Sequence, residues 1–120
     1  MGLESQMNTF TALESPRRPF LTMEEYADET AKKENINSQQ FLRLIKCESN
    51  WKEDAMGDSG TSFGLLQFKK DTFSLFSKKF DLPNIDIKDP YQQIDLAVRM
   101  IKEGQILHWK NCARKTGWTE

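Results

Sequence analysis

Glu48 is a carboxylate in an unusual setting. In "LIKCESNWKEDAMGDSGTSFGLLQF", residues 44–68, an apolar run leads into this acid, and a loop of small polar residues with Gly57, Gly60 and Gly64 follows it. Phe41, Leu44, Ile45 and Glu48 fall at i, i+3, i+4 and i+7. That spacing places Glu48 at the C-terminal end of a core-facing helical stripe. Charge is disfavoured there twice. Apolar neighbours strip water from the carboxylate and raise its pKa, and the negative end of the helix dipole repels an anion. A carboxylic acid still protonated near neutral pH is what general-acid chemistry requires. The plainer alternative is a solvated glutamate at a frayed helix end, and periodicity alone leaves both open.

The surrounding residues have double readings too. Asp58 is either a second carboxylate that orients water or a loop residue bonded to its own backbone, the common fate of Asp beside turn residues. Thr61 and Ser62 either offer hydroxyls to a ligand or hold the loop. Gly60 and Gly64 are candidates for backbone conformations open only to glycine, or for close approach of a ligand. Ser49 has no neighbouring base motif that would make it a nucleophile, so a helix-end hydrogen bond is expected of it. Glu53 and Asp54 read as surface charges, and Trp51 as core. Trp109 and Trp118 are either stacking platforms for a ligand or lids on the core. His108 is the single histidine, expected to be solvated or locally bonded. With no His or Cys cluster, neither a metal site nor a cofactor is expected.

The elements that must position these residues read as helices. Thr22 and Glu25 form a capping-box pattern, followed by Met23, Tyr26, Ala27, Thr30 and Ala31 on one face. "ENIN" breaks that helix near residue 35, and Asn37 or Ser38 starts the next. Phe73, Phe76 and Phe80 mark a third helical face and are expected in the core, ahead of a turn around Pro83. Asp89-Pro90 is an acid at N-cap with proline at the first helical position, and Gln93 completes the capping-box spacing. Tyr91, Ile94, Ala97, Val98 and Ile101 give the fourth helix its apolar face, and Gly104 ends it. "ILHWKNCARK" reads as a short last helix. No long alternating strand pattern occurs, so the fold class is all-α with at most a minimal β element. Residues 1–20, with two prolines and no period, read as a loosely ordered N-terminal arm on a single domain spanning residues 21–120.

The totals narrow the function. A chain of 120 residues with net charge −1 and 29% charged side chains lacks the basic excess of a nucleic-acid binder. No apolar run approaches the ~18 residues of a membrane span. The first twenty residues lack a positive head followed by an apolar stretch, so they do not read as an export signal. A cytosolic protein and a mature exported domain both remain. Two cysteines, Cys47 and Cys112, suit either two buried thiols or one bridge.

The pattern E-S-N-W-x3-A-x-G-D-x-G-x-S-x-G-L-x-Q, covering Glu48, Ser49, Trp51, Ala55, Gly57, Gly60, Gly64, Leu65 and Gln67, resembles the catalytic signature of soluble lytic transglycosylase (SLT) domains of the goose-type lysozyme-like superfamily. "YADETAKKENINSQQFLRLIKCES" resembles the family's lead-in helices, and "DPYQQIDLAVRMI" the helix that closes its fold. The resemblance spans roughly residues 22–115. Two departures are visible. The loop from Asp58 to Phe63 is longer than usual, and the family's later "AYN-x-G" segment, whose tyrosine approaches the acid, is missing. A shorter subgroup with Cys before the catalytic Glu and a Trp followed by Cys near the end is the nearest likeness.

The resemblance implies a lysozyme-like fold and cleavage of the β-1,4 bond between N-acetylmuramic acid and N-acetylglucosamine in peptidoglycan. Glu48 would be the single catalytic acid, giving 1,6-anhydromuropeptides without hydrolysis. Gln67 would line the cleft unless it is a structural amide, and Asp58, Ser62, Gly64 and Trp109 are the other candidate substrate-binding residues. The expected partners are peptidoglycan glycan strands, with no nucleic acid and no membrane span, and the expected state is a monomer. An enzyme of the wall works outside the reducing cytosol, so placement is expected to be extracytoplasmic, with the export signal absent from this chain. A disulfide between Cys47 and Cys112 is expected on the same ground. The alternatives are a hydrolytic lysozyme, or a non-catalytic peptidoglycan-binding or structural module on the same fold.

Overall fold

A computed structural model of the protein describes residues 21–118. The expected N-terminal arm, residues 1–20, lies outside the described residues. Local signals set the helix starts. The Thr22 hydroxyl accepts from the Glu25 amide at 3.0 Å, and the Glu25 carboxylate accepts from the Thr22 amide at 2.9 Å. This capping box opens α1 (Met23–Lys33). Asn35, with φ +62°, ends the turn that follows. The Asn37 side chain accepts from the Gln40 amide and starts α2 (Ser38–Ser49).

The glycine-rich stretch folds into three two-residue strands: β1 (Met56–Gly57), β2 (Ser62–Phe63) and β3 (Phe68–Lys69). They form one antiparallel sheet in the order β1-β2-β3, with Gly57 opposite Ser62 and Ser62 opposite Lys69. A 3-10 turn over Asp58–Gly60 joins the first two. This is the minimal β element in a helical fold. α3 (Lys70–Lys79) follows directly. The Asp89 side chain then accepts from the Tyr91 and Gln92 amides, with Pro90 in the first turn, to begin α4 (Pro90–Lys102). A second 3-10 turn, Ile106–Trp109, leads into α5 (Lys110–Lys115).

α4 is the central helix. Its expected face was Tyr91, Ile94, Ala97, Val98 and Ile101, yet Leu96 and Met100 are also fully buried. The reason is that α1 and α3 both pack against it, so its apolar stripe is wider than a one-sided helix needs. Phe41, Leu44 and Ile45 of α2, Leu65, Leu66 and Phe68 of the sheet region, and Trp109 complete the core. Phe73 is buried, while Phe76 and Phe80 are half-buried at its edge with ring centroids 5.8 Å apart.

Gln93 is not a capping-box partner: with Asp89 at N-cap the N3 position belongs to Gln92, and Gln93 stands one residue further on. It is fully buried, accepts from the Leu66 amide at 3.0 Å, and donates to the carbonyls of Phe63 at 3.0 Å and Ile87 at 2.7 Å. Backbone groups of an irregular buried segment must find partners, and this one amide supplies three of them. Asp89 already serves the helix start, so Gln93 is released for that task.

At the other end, Cys47 and Cys112 are joined in a disulfide with Cα atoms 5.8 Å apart. Beside it, the Gln40 side chain donates to the Gly117 carbonyl at 3.1 Å, and the Trp118 indole donates to the Gln40 carbonyl at 3.3 Å. The pairings of 47 with 112 and 40 with 117 run α5 antiparallel to α2 and brace the helix that carries Glu48.

Candidate active site

Glu48 occupies the last turn of α2, and the backbone turns sharply after it. Asn50 caps the helix in the left-handed conformation (φ +53°), and Trp51 follows at φ +64°. Asn tolerates that region; a Trp there is uncommon, and such backbone tends to concentrate at functional sites. As expected, Ser49 makes helix-end bonds. Its hydroxyl donates to the Ile45 carbonyl and accepts from the Trp51 amide, both at 3.2 Å.

The Glu48 side chain is half-buried. Among the described residues none hydrogen-bonds or ion-pairs with its carboxyl. Burial raises its pKa to about 7, with the negative charge of Asp58 the smaller contribution. Asp58 is pushed the other way. Its carboxylate accepts from the Ser62 hydroxyl at 2.5 Å and from the Lys69 ammonium at 3.2 Å, and these bonds, Ser62 first, hold its pKa below the ordinary aspartate value. One carboxyl thus titrates near neutrality while the other is ionised. Environments that separate two carboxyl pKa values in this way assign an acid and an anion.

The loop that presents Asp58 is strongly curled. Asp58, Ser59 and Gly60 all have positive φ, and Thr61 bonds back to the Asp58 carbonyl through both its amide and its hydroxyl. Gln67, itself at φ +50°, donates through its amide to the carbonyls of Ala55 at 3.1 Å and Gly64 at 2.9 Å. It closes the base of the hairpin in the manner of a structural amide. Gly57 has no room for a Cβ, which would collide with the Gln67 side-chain oxygen. Gly64 has φ +87°, and a Cβ there would collide with Gln93.

The structure separates the sequence candidates. Asp58 is exposed, and its charge acts on Glu48. Ser62 is 2% exposed and Gly64 is buried, so both sit beneath the loop and shape it. Trp109 is a correction. It is 3% exposed, its indole donates to the Leu66 carbonyl at 2.8 Å, and its ring packs edge-on to Phe68. A ring enclosed in this way has no free face for a sugar, and its role is that of a core lid. His108 lies over Phe68 with ring centroids 6.0 Å apart. Its pKa is lowered, by burial first and by Lys69 second.

Two residues escaped the sequence reading. Lys69 bonds Asp58, Thr61 and Ser62 at once. Its signal was the cross-strand register, Ser62 opposite Lys69, which is not legible in two-residue strands. Gln93 was masked by its position in a helix start. Among the described residues no group of three His, Cys, Asp or Glu is placed to hold a metal ion, and no helix is long and apolar enough to cross a membrane.

A carboxyl at a helix end, set over a small glycine-rich sheet in an otherwise helical domain, defines a lysozyme-like class. The chain belongs to the Transglycosylase SLT domain family, whose model matches residues 25–110. It matches no curated protein and no solved structure. Membership implies peptidoglycan as substrate and transglycosylase-type activity in general. A wall-directed domain with a disulfide points to a location outside the reducing cytosol.

Proposed function

We propose that the chain cleaves the β-1,4 bond between N-acetylmuramic acid and N-acetylglucosamine without water, with Glu48 as acid and then base. The Glu48 carboxyl gives its proton to the glycosidic oxygen as the bond from that oxygen to C1 breaks. The substrate's own acetamido group stabilises the positive charge at C1, so no second protein carboxylate is obligatory. The Glu48 carboxylate then takes the proton of the muramyl C6 hydroxyl, whose oxygen bonds to C1. The products are a 1,6-anhydro end and a free N-acetylglucosamine hydroxyl, and Glu48 is again protonated.

The observation that carries this reading is Glu48 itself: half-buried, without a hydrogen-bond partner among the described residues, and with a pKa of about 7. An acid tuned to the working pH suits both the donation and the return of the proton. One observation favours a hydrolytic second reading. Asp58 is an exposed, ionised carboxylate whose charge bears on Glu48, a group suited to orienting water.

Digestion of purified peptidoglycan, with masses of the released muropeptides, tests both. Non-hydrolytic cleavage leaves muramyl ends lighter by one water than hydrolysis does. Glu48→Gln keeps size and polarity but has no carboxylic proton, so a loss of at least ~100-fold is expected. Near-normal cleavage by that variant would sink the assignment, and binding without cleavage by the parent chain would identify a non-catalytic module.

A further inference from the structure

We infer that Lys69 is a positioning residue of this site: its ammonium ties the loop carrying Asp58 to β3 and so holds in place the charge that acts on Glu48. The inference rests on the reading of Glu48 as the catalytic acid. Three contacts carry it. The Lys69 Nζ lies 3.2 Å from the Asp58 carboxylate, 3.1 Å from the Thr61 hydroxyl and 3.2 Å from the Ser62 hydroxyl. Ser62, 2% exposed, also donates to Asp58. One cation therefore joins three side chains from the same five-residue turn.

A surface ion pair alone is worth little, and Lys69 and Asp58 are both well exposed. This pair differs because it is part of a network with a buried hydroxyl and a tightly curled backbone. The left-handed run of Asp58, Ser59 and Gly60 has no regular ladder to hold it. Without the ammonium, the turn keeps the short β1–β2 pairing, the Thr61 bonds to the Asp58 carbonyl and the Ser62 bond. The Asp58 carboxylate then keeps only the Ser62 bond, and its charge is no longer offset. Other ionisable groups nearby are His108, on which Lys69 acts, and Lys70 and Asp71, exposed at the start of α3. Asp58 is the charge that acts on Glu48.

The test uses Lys69→Met, which keeps the stem and removes the charge, beside Lys69→Arg, Asp58→Asn and the neighbouring control Lys70→Met. Two readouts are needed: the pH profile of peptidoglycan cleavage, and direct NMR titration of the Glu48 carboxyl carbon. Lys69→Met is expected to lose rate, by up to roughly 100-fold, the cost of a misplacement of about 1 Å. Its alkaline limb and its Glu48 titration should both move to higher pH, because the Asp58 charge is no longer offset. Asp58→Asn should move both to lower pH. Lys69→Arg should restore the parent profile, and Lys70→Met should match the parent. A Lys69→Met protein that melts lower but titrates like the parent would overturn the inference, leaving Lys69 a mere fastener. Shifts in the same direction for Lys69→Met and Asp58→Asn would also overturn it. The NMR readout does not depend on turnover, so a failure of the Glu48 assignment, seen as an active Glu48→Gln, is distinguishable from a failure of the coupling.

Discussion

Replacing Gly64 by alanine adds one carbon at the point where the hairpin meets the central helix. The cost has two parts. Gly64 has φ +87°, and an L-residue held in a left-handed conformation loses ~1–2 kcal/mol. The new Cβ would also collide with the Gln93 side-chain nitrogen and lie 2.8 Å from its Cδ and 2.9 Å from its Oε1. Gln93 is fully buried and cannot swing into water. Moving it loosens bonds to Leu66, Phe63 and Ile87, each worth ~0.5–1.5 kcal/mol net. The sum is about 3–6 kcal/mol, a large share of the ~5–15 kcal/mol that holds a small domain together. Urea unfolding at 25 °C followed by far-UV circular dichroism measures it. A double-mutant cycle with Gln93→Ala separates the parts. In the Gln93→Ala background the clash is gone, and Gly64→Ala should cost only the backbone term. A cost below ~1 kcal/mol in the parent, or strict additivity in the cycle, would refute the argument that Gln93 occupies the space a side chain needs.

Glu48 should make stability depend on pH with a sign opposite to that of a paired carboxylate. Its folded pKa, about 7, lies above the ordinary glutamate value of 4.5, so between these values the folded state holds the extra proton. Its contribution is fully present below about pH 4.5 and is lost as pH rises through about 7. Thermal melts of the parent and Glu48→Gln should therefore diverge as pH rises through this window, with the variant more stable at pH 8, and identical pH dependence would contradict the burial argument. The Cys47–Cys112 bridge spans a sequence separation of 65 residues, for which chain entropy gives ~4 kcal/mol at most. Reduction should lower the melting temperature and weaken cleavage, since the bridge is adjacent to Glu48. Titratable thiols in the unreduced, denatured chain would argue against the bond.

The helix starts were legible because they are local. Thr22 with Glu25, Asn37 with Gln40, and Asp89 with its first-turn amides each involve partners within three residues. The stripe Phe41, Leu44, Ile45 and Glu48 needed only the helical period, and the structure buries its first three members and half-buries the fourth. The positive φ of Gly60 and Gly64 also followed from residue type. The reading weakened where partners lie far apart along the chain. Gln93 bonds to Leu66, 27 residues away, and Trp109 to the Leu66 carbonyl, 43 residues away.

The sequence by itself determined the helices, the place of one carboxyl at the end of an apolar stripe, and the loop that faces it. Each depends on spacing and conformational preference, which act over a turn or two of backbone. Tertiary structure decided what surrounds that carboxyl. It enclosed the Trp109 ring against Phe68 and engaged the Gln67 amide nitrogen with the Ala55 and Gly64 carbonyls. It brought Lys69 across from Ser62 and onto Asp58. Burial and hydrogen-bond satisfaction are properties of the packed chain, and a side chain able to meet either demand acquires its role only when the neighbours that impose it arrive.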